Sequence, residues 1–256
     1  MKSNYHPKQP AALAAICAIL LGAFAGNQAL AQSFGINFLG NTSDPVTGLA
    51  GVLPIGNWNN ISNTTFTSGS ILSSDGLSSA TLSLSGSGSA NGWHSGTVAD
   101  GGNGSLLDGY MDTGTTSTGI AAISGLTGSL YNIFIYDEGD AARPGNGGDW
   151  LPNYTINGIT YYTATLTGAF TGFVQGGVTT VNNNTFPTSL VYGNYIEIDN
   201  VAPIAGAITV SANSDTQTWR SPLDGVQLVP APEPSVAGLS LLGSLLTLGL
   251  FRRRNK

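Results

Sequence analysis

Cysteine is almost missing from this chain. The one present, Cys17, lies in an apolar run near the N-terminus, so the rest forms no internal disulfide and packing alone carries the fold. Histidine is nearly as scarce: beyond residue 31 only His94 remains, too few donors for a zinc site of several His or Cys ligands. Positive charge is missing from the middle. Of eight Lys and Arg, only Arg143 and Arg220 lie between residues 32 and 229, against thirteen of the fourteen Asp and Glu. That stretch therefore carries about eleven net negative charges, which repel phosphate backbones and exclude nucleic acid as a partner. Anionic lipid is disfavoured for the same reason. No G-x-x-x-x-G-K and no G-x-G-x-x-G occurs, so phosphate loops and dinucleotide fingerprints are absent as well.

What fills the middle is Gly, Ser, Thr and Asn, with few of the Lys and Glu that favour helices. Phe34, Ile36 and Phe38 alternate, as do Ala80, Leu82 and Leu84, and each set predicts a half-buried strand. Residues 130–136 (LYNIFIY) are apolar on both faces and predict a central strand. Asn157-Gly158 is the preferred type I′ pair and joins two short runs rich in Ile, Thr and Tyr. Further strands are expected at 171–175, 195–199, 207–211 and 225–229, with 57–69 and 85–104 as long surface loops. The expected fold class is all-β, a single β-sandwich of jelly-roll type over residues 32–229.

The two ends read differently. Lys2 and Lys8 precede the apolar run 11–25, and Ala29-Leu30-Ala31 is an A-x-A cleavage site, so 1–31 is expected to be a signal peptide with a short helix. Near the other end come Pro230, Pro232 and Pro234, then the uncharged run 236–251, then Arg252, Arg253 and Arg254. The prolines make a stiff, extended spacer. Sixteen residues of helix reach about 24 Å, short of the roughly 30 Å of hydrocarbon in a bilayer. The run is thus a marginal transmembrane helix, suited to a transient anchor. The arginines stop transfer, which puts everything between the two ends outside the cytoplasm.

In this layout, Pro232-Glu233-Pro234 followed by the apolar helix and the arginines resembles the PEP-CTERM sorting signal of exported bacterial proteins. The resemblance covers about a tenth of the chain (230–256). It implies recognition by an exosortase, a protease embedded in the membrane, then release from the helix and delivery to the cell surface or extracellular matrix. Pieces of the body, Gly35–Phe38, Gly51–Pro54, Asn57–Asn60, Tyr136-Asp137 and Asp224–Leu228, are similar to PEP-CTERM ectodomains, and the body resembles galactose-binding-like and malectin-like sandwiches. That second resemblance implies a glycan-binding or adhesive module.

Chemistry is sparse. His94 with Ser95 is the one base–nucleophile candidate, but neighbours on a strand point to opposite faces, and no G-x-S-x-G elbow exists. Asp137, Glu138, Glu197 and Asp199 are the carboxylates a glycoside hydrolase would draw on. Asp137, Glu138, Asp140 and Asp149 flank a Gly-rich loop and are candidate ligands for a weak Ca²⁺ site, against the plainer reading of a solvated acidic loop holding Arg143. Trp58, Trp93 and Trp150 each sit beside Asn or Asp on an expected loop, the mixture that stacks on and bonds to sugars. No other cofactor is expected. The leading reading is an exported, non-enzymatic protein of the extracellular polysaccharide matrix. The alternatives are a carbohydrate- or calcium-binding module and, third, an extracellular glycan hydrolase.

Overall fold

The structure is a computed structural model that describes residues 32–40, 43–62, 67–86, 100–111, 118–138, 152–166, 170–180, 191–213 and 220–231, with 92–94 as backbone alone. The signal segment, the tail from Pro232 onward, and the side chains of Trp93, His94, Ser95, Asp140, Asp149 and Trp150 lie outside the described residues.

The described chain is all-β, as its composition predicts. One sheet holds β1 (Phe34–Leu39), β2 (Asn59–Ser62), β8 (Tyr131–Tyr136), β13 (Tyr195–Val201) and β15 (Gly225–Pro230), in the order β13-β8-β15-β1-β2. A second holds β3 (Ser68–Leu72), β4 (Ser79–Ser85), β7 (Thr118–Ser124), β9 (Asn153–Ile156), β10 (Ile159–Tyr162) and β14 (Ala207–Asn213), in the order β10-β9-β14-β7-β4-β3. The sheets face each other across one apolar core, with Phe34, Ile36 and Ile133 of the first packed in the same cluster as Leu82, Ile123 and Ile208 of the second. Two short pairs, β5 (Gly92–His94) with β6 (Gly109–Met111) and β11 (Ala164–Thr165) with β12 (Tyr192–Gly193), flank them.

Local chemistry explains several elements. Asn157 and Gly158 take φ of 48° and 88°, the positive pair that a type I′ turn requires, and they close the β9–β10 hairpin. β8 sits between β13 and β15, the central place its two-sided apolar pattern demands. β4 buries Ala80 and Leu82 and exposes Thr81 between them, as alternation requires.

Four differences have physical causes. β1 is buried on both faces, not half-buried, because residues 46–58 fold over its outer side. There Trp58 lies on Gly35, where an added Cβ would stand 2.7 Å from the indole. Residues 59–62 form a strand inside an expected loop. β2 runs parallel to β1, unlike the antiparallel pairs of a jelly roll, and its asparagines supply what apolar side chains do not. The Asn59 amide donates to Gly35 O and Leu72 O, and its carbonyl accepts the Leu72 N–H, so one side chain ties the two sheets together. Residues 171–175 make only a bridge from Gln175 to Tyr195, since Phe170 and Phe173 pack as a loop against the outer aromatic cluster. Finally, β15 runs one residue past the expected 225–229. Pro230 closes β15 at a position where its missing N–H costs no ladder bond, and Ala231 donates to Leu130 O.

Candidate functional site

The register of the first sheet gives the sandwich two distinct ends. Phe34 pairs with Leu228, and Tyr131 pairs with Pro230, so the start of β1 and the close of β15 share one end. Tyr136 pairs with Gly225 at the other. Six residues of β8 put roughly 20 Å between these ends.

At the end opposite the start of β1 and the close of β15, the residues after β8 and before β15 are acids. Asp137 and Asp224 are fully buried and Glu138 is 3 % exposed. Backbone bonds hold the three together. The Glu138 N–H donates to Asp224 Oδ2 at 2.7 Å, the Asp224 N–H donates to Tyr136 O at 3.0 Å, and the Asp137 N–H donates to Asn194 O at 3.2 Å. The Thr165 hydroxyl, brought in by β11, donates to Asp137 Oδ2 at 3.4 Å. The Tyr154 ring of β9 closes the inner side, its hydroxyl bonded to Pro222 O.

Burial is the main force on these groups. It raises the Asp137 carboxyl well above its ordinary range, opposed by the Thr165 hydroxyl and reinforced by the charge of Glu138. Asp224 is raised by burial and then by the charges of Glu138 and Asp137, against the Glu138 N–H. The Tyr154 phenol is raised by burial and by Asp137 and Asp224. Arg220 is the one Lys or Arg among the described residues, and no positive charge of a described residue acts on Asp137 or Asp224. Asp137 Oδ1 and Asp224 Oδ1 have no hydrogen-bond partner among the described residues.

The other expected site residues fall elsewhere. Trp58 is corrected from an exposed loop ring to a core residue. It is 6 % exposed, its N–H donates to Ile55 O and Ala50 O, and its ring meets Tyr136 edge-on at a centroid distance of 6.0 Å. A ring held in this way offers no face to a sugar. Glu197 and Asp199 bond to each other on β13, and Glu197 stands opposite Phe134, three residues or about 10 Å along the sheet from Asp137. Asp137 and Glu138 are shut from solvent where an exposed acidic loop was expected. Asp224 is the residue that sequence reasoning missed as an acid of this site. It lies 87 positions from Asp137, and only the β8–β15 pairing brings the two together. Among the described residues, no three or more His, Cys, Asp or Glu form a ready-made metal cage, and no helix is long and apolar enough to cross a membrane. No family model, curated protein or solved structure matches the chain.

Proposed function

We propose that this chain is an exported, non-enzymatic β-sandwich of jelly-roll type that is sorted to the cell surface, released at its C-terminal tail, and held in the extracellular polysaccharide matrix. One observation carries the reading. The first and last strands of the body, β1 and β15, are antiparallel neighbours, and they begin and end at the same end of the sheet. Ala29 and Ala31 lie just before β1, and Pro232-Glu233-Pro234 lies just after Ala231. The described chain therefore enters and leaves the sandwich at one end, an arrangement that suits a body attached to one bilayer by both ends during export. Cleavage at either place removes no core residue, because the apolar cluster runs from Phe34 to Leu228. A product cut near Pro232 keeps a complete fold.

Expression of the full chain in an exosortase-bearing host tests this. The secreted form should lack residues 1–31 and 236–251 by intact mass, and it should fractionate with extracellular polysaccharide. Replacing Pro232-Glu233-Pro234 by Ala-Ala-Ala should leave the protein in the membrane. Retention of 236–251 in the parent, or unchanged processing of the replaced tail, overturns the sorting reading.

A further inference from the structure

We propose that the outer face of the second sheet binds an extended, uncharged polysaccharide chain laid across its strands. The inference rests on the matrix reading above and names the surface that would make the attachment.

The six strands β3, β4, β7, β9, β10 and β14 contain no Asp, Glu, Lys or Arg. The body around them carries about eleven net negative charges, and β13 of the first sheet holds Glu197 and Asp199. Neutrality is therefore a property of this sheet alone. Along β7 and β14 buried residues alternate with half-exposed ones, so one face seals the core and the other meets solvent.

The register lines the open face with small side chains in rows, because residues paired across antiparallel strands share a face. One row runs through Ser85, Ile120, Ser211, Thr155 and Thr160. The adjacent row holds Ser68, Ser83, Ala122 and Thr209. Strands stand about 4.8 Å apart, so six of them make a face roughly 24 Å wide. An extended pyranose chain advances by nearly one strand spacing per ring, which lets successive sugars meet successive strands. Several polar groups are already oriented. The Thr155 and Thr160 hydroxyls share a bond of 2.8 Å, Asn213 Nδ2 donates to Thr155 Oγ1 at 2.9 Å, and the Ser68 and Ser83 hydroxyls lie 3.1 Å apart. Each hydroxyl has one hydrogen and two lone pairs, so capacity for a ligand remains after these bonds. Ile120 and Ala122 offer a low apolar floor to the C–H faces of sugar rings, and Tyr162 brings a half-exposed ring to the row of Asn153 and Asn213.

Charge selects the occupant. An anionic polymer is repelled by the acids of the body, and a cationic one finds no carboxylate on these strands. A second copy would bring another eleven negative charges alongside the first. A neutral glycan meets neither obstacle, and its hydroxyls exchange hydrogen bonds with the face while no ion is desolvated. Neighbouring strands turn by about 20–25°, a twist that one polymer chain follows and a flat crystalline fibre does not.

The test uses the protein purified from the exosortase-bearing host, whatever its processing, in native gels cast with hydroxyethylcellulose or with alginate and normalised to polymer-free gels. Hydroxyethylcellulose should retard the parent and alginate should not. Ser83→Lys combined with Ser211→Lys should weaken the retardation about tenfold or more, the loss expected when about 1.4 kcal/mol of binding is removed. Leu49→Lys combined with Leu53→Lys, which adds the same charge on the segment covering the first sheet, should bind as the parent does. The parent's comparison of the two polymers decides by itself should a variant fail to fold. A parent that hydroxyethylcellulose leaves unretarded overturns the proposal, as does retardation that survives the Ser83 and Ser211 substitutions. A parent that sediments as a dimer, and becomes monomeric with those two substitutions, assigns the face to a second copy and overturns it too. Matrix association that persists in the host with the face variant overturns this surface and leaves the matrix reading standing. Loss of hydroxyethylcellulose binding in the variant, from a parent that never associates with matrix in the host, supports this surface and overturns the matrix reading.

Discussion

Gly35→Ala and Trp58→Ala, made singly and together, should show a change of sign. In the parent, a Cβ added at Gly35 meets Trp58 Cδ2 at 2.7 Å, Cε3 at 2.8 Å and Ile55 Cδ1 at 3.0 Å. The indole cannot retreat. Its N–H is tied to two carbonyls and its far edge rests on Tyr136, so one methyl group should cost about 1–3 kcal/mol by overpacking. Trp58→Ala alone should cost about 3–5 kcal/mol, a large share of the roughly 5–15 kcal/mol a domain possesses. In that second background the two indole contacts vanish and only the tip of Ile55, a rotatable group, remains. Gly35 has no positive φ, so alanine fits its backbone. A stiffer unfolded chain should then make Gly35→Ala stabilising by up to about 0.4–1 kcal/mol. Urea titration followed by far-UV circular dichroism reads all four proteins, and the coupling energy should be about 1–4 kcal/mol. Additive costs would mean that Trp58 does not sit on Gly35, and the account of how β1 is covered on its outer face would fail with it.

Three further outcomes follow from the same geometry. Tyr136→Phe leaves Gln227 Oε1 and the Val52 N–H without the hydroxyl they share at 2.6 and 2.9 Å, so it should cost about 1–3 kcal/mol and speed amide exchange at Val52. Gly158→Ala meets no atom within 4 Å, so its cost is the strain of φ +88° alone, about 1–2 kcal/mol, measured as a lower urea midpoint with unchanged slope. Burial, and then Asp199, raises the Glu197 carboxyl above its ordinary 4.5, so the unfolded chain ionises first as pH climbs and stability falls through that window. Glu197→Gln should remove this part of the pH dependence in melting curves recorded from acid to neutral pH.

The strands that read clearly in sequence are those whose signal is local. Asn157-Gly158 declares its turn because both residues tolerate positive φ, and residues 130–136 declare a central strand because both faces are apolar. β2 was illegible for the opposite reason. Asn59 and Asn60 look like loop residues until their amides are seen bonding to Gly35, Leu72 and Val46 across the fold. Residues 171–175 misled because alternation cannot tell a strand from a loop that packs half-buried Phe170 and Phe173 on a neighbouring sheet. Tryptophan misled in the same way: Trp58 among asparagines has the composition of a sugar platform and the surroundings of a core residue.

The acids show most plainly what sequence cannot carry. A run such as Asp137-Glu138 reads as a solvated loop because most acidic pairs are solvated, and nothing within ten residues says otherwise. Its burial is decided by pairing at a distance. Once Tyr136 is set against Gly225, Asp224 must arrive beside Asp137, and the strands that position them also exclude the water they need. Acids held in this way weaken the sandwich unless protons or neighbouring charges neutralise them. The same register that puts Phe34 and Pro230 at one end puts these acids at the other.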